Sequence, residues 1–411
     1  MKTISKYLLY NYIHKPLLKH PNNFGYAEKD ISFINKVFRI SIKFIKEIYY
    51  SLTRKNNQCA IFKNKVVFIS LTNNQFYTIE PIQNKINNSV VFSPLLFSSL
   101  NKEIISNRIY IKRLFYLYDL ICQNYFFIKI LKVDFFKYFI IPFYNAGFYN
   151  AYCRIFKNYR PSAIVFSNDN HPHIRSFVKA AKFEGIPTIY IQHCTASSIF
   201  PIIDYDYAFL EGQFSIDTYS ISLKSNIKLV GMPKFDKFSS FINTSSSIKT
   251  IGVAINAMDN DNNKLSRLFY ELHKLENMKI IFRPHPALCP FNEKYDWDEF
   301  SDPNIDKSFD FFKKIDVLIA GNSSIHQEAA LLNITCFHLD LTKNNYFDYF
   351  DFIKNEVCIQ SSIDEIANQI SYSSTNRYSP LRKVKYYNDV VDTPYFGKST
   401  KLVVEEILKI I

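Results

Sequence analysis

The sequence predicts an α/β protein of two Rossmann-like domains facing a cleft, with a helix-rich, basic N-terminal part, and three observations carry that expectation. From residue 161 onward, short runs of β-branched and aromatic residues end in polar or glycine turns and alternate with stretches of helical periodicity. A polar stretch at residues 243–247 (NTSSS) separates two such series and reads as a linker. Polar residues also gather at the strand ends of both series, which is where open parallel sheets bind their ligands.

The expected strands are residues 163–166, 188–191, 207–210, 228–230, 250–255, 279–282, 317–320 and 335–339, with helices between them. Six of the eight glycines (Gly185, Gly212, Gly231, Gly252, Gly321 and Gly397) lie in this half, mostly beside those runs, where the chain must reverse or approach another backbone closely. The domains are expected at 1–243 and 248–395, and residues 396–411 as a last helix that returns to the first domain. Before residue 161 the chain alternates amphipathic helical stretches with two strand-like runs, 65–71 and 89–92. Residues 37–51 place apolar side chains at helical spacing with Arg39, Lys43 and Lys46 on another face. That pattern suits either a membrane surface or a protein core.

At 411 residues, with 47% hydrophobic, 21% charged and 17% aromatic side chains, the chain is excluded from the disordered and collagen-like classes. Its net charge of +13 is unevenly spread. Residues 1–160 hold 24 Lys+Arg against 7 Asp+Glu, whereas the remainder holds 26 against 30. A basic, aromatic-rich part attracts an anionic membrane, an anionic substrate or nucleic acid, or it simply exposes solvated lysines. No nucleic-acid-binding fingerprint accompanies the charge, which disfavours the third partner. Seven widely spaced cysteines without a C-x-x-C pair read as reduced thiols in a cytosolic protein. The first 20 residues carry four lysines and no apolar signal core, and the uncharged run 138–153 is too short to span a bilayer.

The strongest motif is Arg283-Pro284-His285-Pro286, directly after the apolar run MKIIF. A strand stopped by prolines delivers Arg283 and His285 to the sheet's carboxyl edge, where both are suited to phosphate oxygens. The same pattern also serves as a plain strand cap. The second motif is DVLIAGNSSIHQEAA: a strand, then Gly321, Asn322, Ser323 and Ser324, then a helix. Serines at a helix N-terminus favour an anion or merely cap the helix. Glu328 follows one turn below Ser324 and can accept two ribose hydroxyls. Gly-rich phosphate loops are missing, which excludes P-loop kinases and dinucleotide dehydrogenases.

The R-P-H-P and G-N-S-S-x-x-x-E-A pair resembles the nucleotide-binding C-terminal domain of GT-B glycosyltransferases, particularly bacterial capsule and lipopolysaccharide sugar transferases. The resemblance implies that His285, Ser323 and Ser324 hold a nucleotide phosphate and Glu328 the ribose, with Arg283, Gly321 and Asn322 completing the donor site. The segments FSNDNH, GIPTIYIQH and GMPKFD are similar to surface-polysaccharide transferases, and they place His171, His193 and Lys234 as weaker cleft or acceptor residues. Cys194 stands where such proteins often carry glycine. The catalytic base is expected from the N-terminal domain, as Asp169 or Glu211, although both carboxylates also suit capping or turn roles. The pair Glu211-Gly212 resembles part of the acidic-acidic-Gly motif of bacterial sialyltransferases, with Leu210 at the first acidic position. His171, His173 and His193 lack the carboxylate–His helix pattern of a metal site, and Pro172 is expected to open a helix there.

These features imply a metal-independent transferase with no cofactor, taking a nucleotide-sugar donor of the CMP- or CDP-linked kind. Its acceptor would be lipid-linked or a growing surface polysaccharide. It is expected in the cytoplasm, peripheral on the inner face of the membrane through its basic N-terminal part. A CDP-glycerol-type polyol-phosphate transferase, a nucleotide-sugar 2-epimerase-like enzyme, and a non-catalytic scaffold or nucleic-acid binder stay open as alternatives.

Overall fold

The computed structural model describes residues 38, 41–42, 45–46, 48–50, 52–53, 56–94, 104–106, 109, 147–168, 171–198, 200, 202–245, 247–257, 259, 261–342 and 348–411. The chain divides into two compact units. The first comprises residues 1–210, 216–228 and 400–411, and the second residues 211–215 and 229–399.

The first unit is built on a seven-stranded sheet of order β3-β2-β1-β4-β5-β6-β7. Its strands are β1 (Val66–Ile69), β2 (Ser89–Ser93), β3 (Ile105–Ser106), β4 (Ala163–Phe166), β5 (Thr188–Ile191), β6 (Tyr207–Leu210) and β7 (Asn226–Leu229). Strands β1, β4 and β5 are buried at every position, as parallel strands covered on both faces must be. Among the described residues, connections run through the helices α1 (Asn73–Gln83), α2 (Phe148–Asn158) and α3 (Pro172–Phe183), and a short helix, Gln213–Thr218, lies between β6 and β7. Thr72 caps α1 by accepting from Gln75 N–H. Phe177 of α3 packs edge-on against Phe166 of β4 and Phe156 of α2, which locks helix to sheet.

The second unit has a six-stranded sheet of order β10-β9-β8-β11-β12-β13. Its strands are β8 (Thr250–Ala254), β9 (Lys279–Arg283), β10 (Glu299–Phe300), β11 (Val317–Ala320), β12 (Thr335–His338) and β13 (Ile359–Gln360). Helices α4 (Asn262–Leu272), α5 (Ser308–Phe312), α6 (Ile325–Leu331) and α7 (Ile366–Thr375) belong to it, and α8 (Ser399–Ile410) ends the chain. Asp261 caps α4, accepting from Asn263 and Lys264 N–H. Leu265, Leu268, Phe269 and Leu272 of α4 pack onto Ile251, Val253, Phe282, Val317 and Ile319 in one fully buried core. The pairings β1–β2, β1–β4, β4–β5, β5–β6, β8–β9, β8–β11 and β11–β12 are all parallel, so each sheet gathers these strand ends at one edge.

The eight strands expected beyond residue 161 form within two residues of their expected bounds. The three two-residue strands β3, β10 and β13 are too short to leave a periodic signal. The stretch 243–247 is bound into the second unit, and the division falls earlier, between Lys228 and Leu229. Asn243 N–H donates to Leu332 O (2.8 Å), Asn333 Nδ2 donates to Asn243 O (3.0 Å), and Arg377 donates to Asn243 Oδ1 (3.0 Å). Its polar side chains satisfy backbone groups that a flexible linker leaves to water. Residues 400–411 group with the first unit, where Glu406 of α8 pairs with Lys228 at 2.5 Å.

Within residues 37–51, the described positions 38, 41–42, 45–46 and 48–50 are helical. Phe38, Ile42, Ile45, Tyr49 and Leu52 are exposed at i, i+4, i+7, i+11 and i+14, along a single stripe. No helix among the described residues is long and apolar enough to cross a membrane.

Phe282 is fully buried and stacks on Trp297 with ring centroids 5.0 Å apart. Phe282→Ala is expected to cost about 3–5 kcal/mol of stability, read as a lowered urea midpoint for the second unit. A shift below about 1 kcal/mol would contradict the core described here.

Candidate functional site

In the second unit the strand order runs outward in both directions from β8, so consecutive connections diverge at the β8–β11 pair. Divergence leaves a crevice beyond the carboxyl ends of those strands. Asn256 and Asp259 follow β8 on one side of it, and residues 321–324 follow β11 on the other. Asn256 Nδ2 donates to Asn322 O at 2.9 Å and ties the two loops together. The Asp259 carboxylate lies so close to Gly321 that a Cβ there would meet Asp259 Oδ1 at 2.6 Å. Glycine at 321 is therefore required by a close approach.

Asp259 is buried, with Oδ2 accepting from Asn256 N–H (2.8 Å) and Oδ1 lacking a hydrogen-bond partner among the described residues. Burial pushes its carboxyl up to about 6, and the Asp340 charge adds to the effect. Asn322 is a structural residue on its side-chain side. Its Oδ1 accepts from Tyr349 N–H at 2.7 Å and lies 3.3 Å from His338 Nε2, which holds the amide away from the crevice. Ser323 Oγ accepts weakly from Ile325 N–H at 3.4 Å, and Ser324 occupies the N-cap position of α6 without a side-chain capping bond.

On the other side of β8, strand β9 ends in Arg283 and turns at Pro284. Arg283 is buried and braced: it donates to Ser301 Oγ (2.8 Å) and Asp306 O (3.0 Å). Two of its five donors are thereby committed to the loop after β10. His285 is exposed at the start of a short 3-10 turn, Pro286–Leu288, and its Nδ1 accepts from Ala287 N–H at 3.1 Å. That bond fixes the tautomer with the proton on Nε2. Partial desolvation lowers the ring's pKa, so it is neutral at physiological pH and presents one N–H donor.

A buried charge cluster lies around α6. Lys234 donates to Glu328 Oε1 at 2.6 Å, and Ser308 Oγ donates to Glu328 Oε2 at 3.2 Å. Glu211, almost wholly buried, accepts from Gln327 Nε2 at 2.9 Å. Burial pushes Glu211 up to about 7, with Lys234 opposing and Glu328 adding to the rise. Gly231, at φ 72°, makes the turn that delivers Lys234 to this cluster, and a Cβ there would meet Ser399 Oγ at 2.6 Å. The pairing of Lys234 with Glu328 joins two residues 94 positions apart that the sequence placed in separate roles.

Glu211 differs from its expected placement. It groups with the second unit, where it is buried and accepts from Gln327. Asp169, the other expected base, lies outside the described residues, as do Asn170 and the side chain of His173. His171 opens α3 in the first unit, its N–H donating to Asn168 Oδ1 at 2.8 Å, and burial lowers its ring to about 4. His193 follows β5 in the same unit. The backbone at Cys194 lies outside the left-handed region, so that turn does not require glycine.

Sequence reasoning missed Asp259, Asn256 and Gln327. The signal for the first two was present as a polar loop directly after the β8 run, and it lacked a motif to single it out.

No family model matches the chain, and no curated protein matches it. Solved structures do. A UDP-N-acetylglucosamine 2-epimerase aligns with TM-score 0.52 at 11% identity, over 84% of this chain and 96% of that one. The wall teichoic acid polymerase TagF soaked with CDPG aligns with TM-score 0.52 at 14% identity, over 92% and 98%. A glycotransferase of kitacinnamycin aligns with TM-score 0.51 at 9% identity, over 85% and 99%. At these identities the likeness shows the fold. The chain has the two Rossmann-like α/β domains of the GT-B class.

A carboxyl whose native pKa lies above its unfolded value weakens the fold as it ionises. Asp259 therefore carries no penalty below about pH 4 and its full penalty above about pH 6, on the order of 3 kcal/mol. Asp259→Asn is expected to raise the urea midpoint at pH 7 and leave it nearly unchanged at pH 4. An equal effect at both pH values would contradict the raised pKa.

Proposed function

We propose that this chain is a nucleotide-sugar-dependent glycosyltransferase acting on a lipid-linked or growing surface polysaccharide. The observation that carries the reading is the His285 tautomer. A neutral imidazole presenting Nε2–H at the carboxyl end of β9 is a directed donor for a phosphate oxygen, and it strengthens as leaving-group charge develops. The Ser323–Ser324 turn supplies hydroxyls and N–H groups beside α6, and Glu328 supplies a carboxylate suited to ribose hydroxyls. In this reading Lys234 holds the Glu328 carboxylate in place. Glu211 and Gln327 position that pair from behind, and Asp169 is the residue assigned to deprotonate the acceptor.

The structural likeness to an epimerase and to a polymerase soaked with CDPG favours two neighbouring activities, 2-epimerisation of a nucleotide sugar and transfer of a polyol phosphate. All three share a donor nucleotide, and product analysis separates them. The exposed apolar stripe at Phe38, Ile42, Ile45, Tyr49 and Leu52, within a basic N-terminal part, supports a peripheral membrane role for that part.

Calorimetric titration with CMP-, CDP-, UDP- and GDP-linked donors is expected to show one nucleotide class that binds the wild type. His285→Ala, an exposed change with little cost to the fold, should weaken that binding about tenfold, or ~1.4 kcal/mol, the value of one hydrogen bond to a charged group. Binding to none of the four would remove the donor-site reading. For the membrane role, the wild type should cosediment with vesicles containing phosphatidylserine, and Ile45→Glu with Leu52→Glu should abolish this. Equal sedimentation of both proteins would remove the stripe's role.

A further inference from the structure

The charge cluster and the crevice leave one group of reactive side chains unused. Cys336 is in β12, and Cys358 immediately precedes β13. These strands pair in parallel with Phe337 opposite Ile359, so the two cysteines stand opposite each other and project to the same face. Helix α6 packs against β12, and its second residue is His326. One ring nitrogen of His326 and the two sulfurs offer three ligand atoms that lie within 4.8 Å of one another. All three residues are buried.

The histidine gives the group a direction. His326 Nε2 lies 3.1 Å from Gly321 O and 3.3 Å from Ala320 O, so Nε2 carries the proton and donates to the backbone. Its Nδ1 is then a bare lone pair in a fully buried ring, and among the described residues it has no hydrogen-bond partner. An orphaned acceptor at zero exposure is costly to the fold unless something binds it. A backbone carbonyl holding the distal nitrogen is also the arrangement that orients metal-ligating imidazoles.

We propose that His326 Nδ1, Cys336 Sγ and Cys358 Sγ form a buried zinc site that fastens helix α6 to strands β12 and β13. Two sulfurs and one imidazole are the soft, nitrogen-and-sulfur set that zinc takes in closed structural sites. Zn–S bonds of about 2.3 Å and Zn–N bonds of about 2.0 Å place ligand atoms some 3.5–3.8 Å apart, so rotamer adjustments of about 1 Å close the set. Asp348, close enough for its charge to act on Cys358, has one buried carboxylate oxygen without a hydrogen-bond partner and is the candidate fourth ligand. Loading releases the two thiol protons to solvent as both cysteines bind as thiolates. The ring of Phe352 walls the group at 5.9 Å from His326 and keeps water away. The bound ion would hold the first turn of α6, and with it the Ser323–Ser324 turn, without touching the donor. This site stands independently of the nucleotide reading.

The test uses the full chain, expressed in zinc-supplemented medium and purified under reducing conditions, with metal content measured by plasma mass spectrometry. About one zinc per chain is expected in the wild type and in Cys153→Ser, and less than about a tenth in Cys336→Ser with Cys358→Ser. His326→Gln keeps a donor toward Gly321 O but loses the ligand, and should weaken zinc affinity at least about tenfold. Should these variants fail to fold, refolding the stripped wild type with cobalt should give thiolate-to-cobalt charge-transfer absorption. A wild type with less than about a tenth of a zinc and no charge-transfer band overturns the proposal. A Cys336–Cys358 disulfide in the chain as purified also overturns it.

Discussion

Strand order constrains everything else in this protein. Each sheet begins at a central strand, β1 or β8, and then grows first to one side and then to the other. At that reversal successive connections leave toward opposite sides of the sheet, and that strand-end position is where open parallel sheets place their ligands. In the second unit that position falls between β8 and β11, with Asp259 on one side and the Gly321–Ser324 turn on the other. The parallel strands also direct β9 to the same edge, so His285 arrives there without any special device.

The second unit then concentrates charge where burial makes it consequential. Lys234 and Glu328 are both largely shielded and joined at 2.6 Å, with Glu211 close behind. Such a group is a poor source of net stability, because desolvation offsets most of the attraction. Its value is in fixing geometry: Lys234 holds the Glu328 carboxylate, and Ser308 satisfies its second oxygen. Glu211 and Asp259 behave differently, since each is pushed toward holding a proton near neutral pH. Both shifts come first from burial, so each carboxylate ionises at a cost to the fold.

Much of the architecture was legible because buried parallel strands read as short continuous apolar runs, and those of residues 163–338 were interrupted by prolines, glycines and polar loops at the right intervals. The motif at Arg283–Pro286 and the Gly-Asn-Ser-Ser turn were legible for the same reason, being strand ends. Lys234 meeting Glu328 was not, because a contact across 94 residues leaves no local pattern. Asn322 and Arg283 looked like ligand contacts in sequence, yet the structure commits much of their polarity to Tyr349 N–H, Ser301 and Asp306. The Cys336, Cys358 and His326 group was invisible as a motif, since its proximity comes from strand register and helix packing rather than from spacing.

On the function proposed above, a nucleotide sits against the carboxyl edge of the second sheet. Hydrogen–deuterium exchange of the full chain, with and without saturating UDP or CDP, tests this without substitutions. Slowed exchange at Ala287 and at residues 321–326, with the far edge of the sheet unchanged, is the predicted result. Protection confined to the first unit, or none with any nucleotide, would contradict it.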